Sequence, residues 1–94
     1  MAQTIPDVTV TKNWQSVAQL TLGEILEGEA INIQNKDTKG KRVIAAEGVA
    51  PPADSTSGAN IYAEKTENVD QNSLMIWLRT YSGEVTVHIE RALT

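Results

Sequence analysis

Apolar and polar positions alternate through the last quarter of the chain. From Leu74 to Arg91 the sequence reads LMIWLRTYSGEVTVHIER, two alternating runs separated by Tyr81-Ser82-Gly83. In the second run Val85, Val87 and Ile89 share one side, and Thr86, His88 and Glu90 share the other. A repeat of two is the side-chain repeat of a strand, so the pattern predicts a β-hairpin. The same alternation predicts strands at Val8–Thr11, Glu29–Asn35, Lys41–Glu47 and Asn60–Lys65. In Glu29–Asn35, Ile31 and Ile33 face inward while Asn32 and Gln34 face outward. Asn35–Gly40 and Asp70–Ser73 carry the short polar residues and Gly that turns use. Gly48–Gly58 is a long loop, because Pro51-Pro52 excludes both helix and central strand.

Residues 14–27 fit two patterns. Trp14, Val17, Ala18, Leu22, Ile25 and Leu26 have helical spacing. Val17, Gln19 and Thr21 against Ala18, Leu20 and Leu22 have strand alternation, and Gly23 interrupts a helix. A strand plus a turn is the preferred reading, with a single helical turn as the alternative. Residues 1–7 read as a flexible N-terminal arm, since Pro6 and Asp7 resist regular structure. The chain is therefore expected to be one all-β domain over 1–94, an antiparallel β-sandwich or jelly-roll-like small barrel of about six to seven strands.

The strand at 74–79 raises a question of burial. Leu74, Ile76 and Leu78 form one face, and Met75, Trp77 and Arg79 form the other. A strand wet on one side does not place Met and Trp there. Either its own chain covers both faces, or the second face is a contact surface of the kind that Trp, Met and Arg favour. Trp14, Met75, Trp77 and Tyr81 are the candidate partner-interface residues. The Ala45-Ala46 pair suggests close approach by a neighbour.

Composition narrows the functional classes. The 94 residues include eight Ile, eight Val, six Leu and ten Ala, but no Phe and no Cys. β-branched residues suit pleated surfaces. A domain this small buries only about 60–70% of its unfolded surface, so association would help it. The net charge of −4 disfavours nucleic acid as a partner. Lys36, Lys39, Lys41 and Arg42 form the one basic cluster, with Asp37 inside it, and a charge run in a turn is usually solvated. Without cysteine there is no disulfide, thiolate nucleophile or zinc–thiolate site. No apolar run approaches the length of about 20 residues that spans a bilayer. No secretory leader is evident in MAQTIPDV, so synthesis in the cytoplasm is expected, with no membrane partner.

Catalytic chemistry finds little support. His88 and Glu90 share a strand face and could supply two metal ligands, but no spacing motif supplies the others. Ser55, Ser57 and Ser82 sit in turns outside any nucleophile-elbow pattern. Glu24, Glu27 and Glu29 could bind a cation, though a charged turn is the simpler reading. No glycine-rich phosphate loop is present. The expectation is a non-enzymatic protein with no cofactor, no metal and no catalytic residue. The Gly48–Gly58 loop is the best recognition element outside the strands.

The order of Ile33-Gln34-Asn35, the strand Arg42–Glu47, the loop Gly48–Gly58, Ile76-Trp77-Leu78-Arg79, Ser82-Gly83 and Val85–Ile89 resembles small virion structural proteins of tailed bacteriophages. The resemblance covers roughly residues 28–91. It implies a β-sandwich that forms a homo-oligomer, often a trimer, within the virion. It implies a capsid decoration or stabilisation role with the major capsid protein or another virion protein as partner. A tail, neck or fibre-base component is the alternative, and a carbohydrate-binding module using Trp and Tyr is an alternative of another class.

Overall fold

The computed structural model describes residues 5–71 and 73–92. Eight strands and one helical turn follow in the order β1 (Val8–Val10), β2 (Gln15–Ser16), α1 (Val17–Leu20), β3 (Ile31–Asn35), β4 (Val43–Glu47), β5 (Ala59–Ile61), β6 (Thr66–Val69), β7 (Ile76–Thr80) and β8 (Val85–Arg91). They form two four-stranded antiparallel sheets, β1-β8-β3-β6 and β2-β7-β4-β5. The molecule is the antiparallel β-sandwich that the alternation predicts.

The two sheets meet through their alternating apolar residues. Val10, Ile31, Ile33, Val85, Val87 and Ile89 come from the first sheet, and Val43, Ile61, Ile76 and Leu78 from the second. All are buried. Leucine and β-branched residues fill the layer, and among the described residues neither Trp nor Tyr belongs to it.

One strand pairing departs from expectation. The two C-terminal runs are strands, but they do not form a hairpin. β7 lies between β2 and β4, whereas β8 lies between β1 and β3 in the opposite sheet. The Tyr81-Ser82-Gly83 connection is an arch from one layer to the other. Thr80 Oγ1 donates to the Gly83 carbonyl at 2.8 Å and closes it. Alternation fixes which side chains face inward; it carries no information about which strand lies alongside.

Residues 14–27 combine both readings. A two-residue strand runs into a single helical turn. Ser16 caps that turn: its Oγ accepts from Gln19 N, and Gln19 Oε1 accepts from Ser16 N. This is a capping box. The chain then turns back, and Ile25 plugs into the core at 2% exposure. Arg91, at the end of β8, holds this segment by donating to Glu29 Oε1 at 2.7 Å and to the Glu24 carbonyl. Residues 17–29 thus close one end of the sandwich.

Two further expectations are corrected. β6 forms in the polar stretch after Lys65, where no strand was expected. Of the N-terminal arm, residues 1–4 lie outside the described residues, while Ile5 is buried in the core and Asp7 is bonded to β8.

Asn35 locks the opposite end. It is fully buried at the end of β3. Its Nδ2 donates to the carbonyls of Lys41 and Ile61, both at 2.9 Å, and its Oδ1 accepts from Asp37 N at 2.9 Å. Its backbone pairs with Glu64 and Lys65. One side chain therefore ties the β3–β4 turn to the β5–β6 turn. A buried amide is tolerated only when its hydrogen-bonding groups are satisfied in this way.

Candidate functional site

The face of β7 that carries Trp77 and Arg79 is covered by the chain itself. The loop 48–58 folds back over it. Trp77 Nε1 donates to the Gly48 carbonyl at 2.9 Å, and Trp14 Nε1 donates to the Ser55 carbonyl at 3.0 Å. Arg79 donates to the carbonyls of Ala53 and Ser55, each at 3.0 Å, and through Nε to Thr80 O. The Arg79 guanidinium also lies 5.9 Å from the Trp14 ring centroid. Beneath the loop, Ile44 is fully buried yet stands apart from the main core. The second sheet is thus packed on both sides.

Gly58 makes the loop's return possible. Its φ is 146°, and a Cβ there would sit 2.5 Å from the Ala45 carbonyl oxygen and 2.9 Å from Ile44 Cγ2. Only glycine fits both the dihedral and the gap.

Trp14 and Trp77 are therefore half-buried, with their indole N–H groups committed to the loop backbone. Met75 is half-buried beside Leu26, Leu74 and Ile76 at the end closed by residues 17–29. Tyr81 is exposed at the other end. Its ring lies 4.5 Å beneath the Arg42 guanidinium, and its hydroxyl is 3.3 Å from Asn60 Oδ1. The four candidate interface residues do not form one patch. Ala45 and Ala46 line an open cleft of about 250 Å³ between β4–β5 and β6, together with Ala59, Val69 and Ile76.

The exposed large apolar residues lie elsewhere. Among the described residues they are Leu22, Leu26, Val49, Tyr62, Leu74 and Tyr81. Strand register places each at an end of the sandwich. Leu22 and Leu26 belong to the closing segment, and Leu74 precedes β7. Val49 follows Gly48, whose N–H donates to Met75 O at that same end. Tyr62 follows Ile61, which pairs with Val43 at the start of β4, and Tyr81 follows Thr80, which pairs with Val43 from the other side. Scattered single apolar residues are ordinary, and these six fall at the two ends of the sandwich.

Leu22 is the most unusual of them. It is 93% exposed, and its φ of 54° lies in the left-handed region. That conformation costs a non-glycine residue about 1–2 kcal/mol. Helical spacing, one of the two patterns that residues 14–27 fit, groups Leu22 and Leu26 with Ile25. Once the helical turn ends at Leu20, that spacing no longer applies, and only Ile25 turns in.

Charge is divided between the same two ends. Lys12, Lys36, Lys39, Lys41, Arg42 and Lys65 lie where β3 ends and β4 begins, with Asp7, Asp37, Glu64 and Glu84 among them. Glu24, Glu27, Glu29, Glu47, Asp70 and Glu90 lie at the opposite end, with Arg91 alone against them. The first end is positive by two charges and the second negative by five. Asp54, Glu67 and Arg79 lie between and bring the total to −4.

The outer face of the first sheet is polar, with Thr9, Asn32, Gln34, Asn68, Thr86, His88 and Glu90. His88 Nδ1 lies 2.9 Å from Asp7 Oδ1, and its Nε2 lies 3.3 Å from Glu90 Oε2. Lys36 Nζ bonds the other Asp7 oxygen at 2.7 Å. The hydrogen bonds from Lys36 and then His88 hold the Asp7 carboxyl below its ordinary value. His88 is thus held by two carboxylates rather than by Ser55, Ser57 or Ser82. Among the described residues no three His, Cys, Asp or Glu side chains form a metal-binding group. Glu29 accepts from Leu26 N and from Arg91, which lowers its carboxyl too. The Lys41 and Lys39 backbone N–H groups do the same for Asp37.

Comparison with protein-family models, with curated proteins and with solved structures gives no match to the chain.

Proposed function

We propose that the chain is a non-enzymatic structural component of a tailed-phage virion, a capsid decoration protein that works as a homo-oligomer. A tail, neck or fibre-base position is the alternative within the same class. The observation that carries this reading is the placement of exposed apolar side chains. Leu22, Leu26, Val49 and Leu74 sit at one end and Tyr62 and Tyr81 at the other, while one sheet face is polar and the opposite face is sealed by its own loop. Such a body makes its contacts through its ends.

Two further features support it. The β-sandwich is the fold that the resemblance to phage virion proteins implies. The Trp14–Arg79–Trp77 layer also stiffens the 48–58 loop, as a load-carrying part requires. A carbohydrate-binding module would present flat indole faces to a sugar, whereas both Trp residues here are half-buried and engaged with the loop.

The test is mass spectrometry of purified particles from the phage that encodes the chain, together with cryo-microscopy. Many copies per virion at symmetry-related positions are expected. Absence of the chain from particles would remove the proposal.

A further inference from the structure

We infer that copies of this chain join head to tail, the acidic leucine-bearing end of one docking on the basic tyrosine-bearing end of the next. This deepens the proposed self-association and rests on it.

The argument begins with complementarity. The acidic end offers Leu22, Leu26 and Leu74 among Glu24, Glu27 and Glu47. The basic end offers Tyr62 and Tyr81 among Lys39, Lys41 and Arg42. Each end pairs exposed apolar surface with a net charge, and the net signs are opposite. Two like ends brought together would repel. An acidic end against a basic end gains charge attraction and buries leucine on tyrosine and on the aliphatic stems of Lys and Arg. The natural occupant of either end is thus the other end of a second copy.

The end of α1 explains how Leu22 comes to stand at the acidic end. Backbone strain retained at a solvent-exposed leucine is unfavourable for the isolated subunit. That conformation belongs to the turn that ends α1, in which Leu22 N donates to Gln19 O at 3.3 Å and Gly23 N to Ala18 O at 2.8 Å. Left-handed φ lifts the Leu22 side chain away from its own core and presents it at the acidic end.

A contact between different ends is heterologous. Repeated, it closes into a ring where the rotation between copies allows and otherwise extends as a filament. Either product suits a virion part, and both differ from a two-fold dimer in which one patch meets itself.

The experiment uses the full chain and two charge-reversed forms, Glu24→Lys with Glu27→Lys, and Lys12→Glu with Lys39→Glu. All four positions are exposed, and unchanged far-ultraviolet circular dichroism and melting serve as the folding control. Mass is measured by sedimentation velocity at about 20 mM and about 500 mM salt, since the attraction is screened over a Debye length of about 10 Å at 0.1 M. The wild type is expected to exceed its 10.2 kDa monomer mass at low salt and to lose about tenfold or more in association constant at high salt. Each variant alone is expected to associate about tenfold or more weakly than the wild type, because each retains one intact end while its altered end falls from −5 to −1 or passes from +2 to −2. Mixed, they are expected to form a one-to-one dimer through their intact ends and to stop there. Assembly undiminished by either reversal would overturn the head-to-tail arrangement while leaving self-association standing. A wild type that stays monomeric under every condition would overturn the arrangement together with self-association in solution. Membership of the virion is read separately, from the particles themselves.

Discussion

Trp14 and Arg79 donate to the same oxygen, the carbonyl of Ser55, each over 3.0 Å. They come from opposite ends of the sequence and meet on a loop that belongs to neither. The contact turns an eleven-residue segment with two prolines into a second packed layer on the sheet. It also leaves Arg79 only 8% exposed, with its charge held by carbonyl dipoles.

Arg79→Ala should therefore loosen the loop and lower stability together. Hydrogen bonds to charged groups are worth about 1.5–3 kcal/mol each, and they share one donor group here, so a loss of about 2–3 kcal/mol is expected. Urea unfolding measures the loss. Limited proteolysis should find new cleavage within residues 48–58. A variant as stable and as protease-resistant as wild type would mean that the loop is held by other contacts.

Asn35→Leu should be among the most damaging single substitutions. It keeps the branched shape, with somewhat more bulk, but leaves the Lys41 and Ile61 carbonyls and the Asp37 N–H without their partner. Unsatisfied buried groups cost about 1–3 kcal/mol each, and relaxation of the turns recovers part, so about 3 kcal/mol is expected. Hydrogen exchange should accelerate in both the β3–β4 and the β5–β6 turn, because one side chain serves both. Acceleration confined to one turn would contradict its role as a tie.

Asp7 sets part of the acid limit of stability. Its folded value is depressed below 3.8, so its contribution is complete above the unfolded value and is lost as pH falls through the folded one. Asp7→Asn should be less stable than wild type near neutrality. The gap should close as pH drops below about 4. Urea midpoints across the acid range check this; a gap that stays constant to low pH would assign the effect to something other than the Asp7 carboxylate.

Leu22→Asn should separate folding from association. Asn tolerates left-handed φ far better than leucine, so relief of strain should raise the melting temperature, by about 1 kcal/mol in stability. The same change removes an exposed apolar side chain from the acidic end and should weaken self-association. Tighter association in the more stable variant would argue against a contact role for Leu22.

Much of this architecture was legible from side-chain alternation. β3, β4 and β8 appear where Ile31 and Ile33, Val43, and Val85 to Ile89 place them. β6 was not legible, because Thr-Glu-Asn-Val at a sheet margin is polar on both sides and leaves no alternating signal. The helical turn was legible in principle, since Ser16 and Gln19 have capping-box spacing. The layer built on Trp77 was half legible: its wrong-face apolar character announced a cover but not whose. The two charged ends could not be seen in one dimension, since Lys12 and Lys65 join Lys39 only after the sheets form.

The inter-layer arch between β7 and β8 has a consequence for biogenesis. β1 has β8 as its sheet neighbour, and β2 has β7. Among the described strands only β4 and β5 are both consecutive in the chain and paired. A nascent polypeptide emerging from the ribosome therefore carries β1 and β2 unmatched until β7 and β8 have been synthesised. Folding of this domain must therefore wait for its last two strands, and its many long-range pairings make it slow for its size, with β8 as the step that commits both β1 and β3 to a sheet.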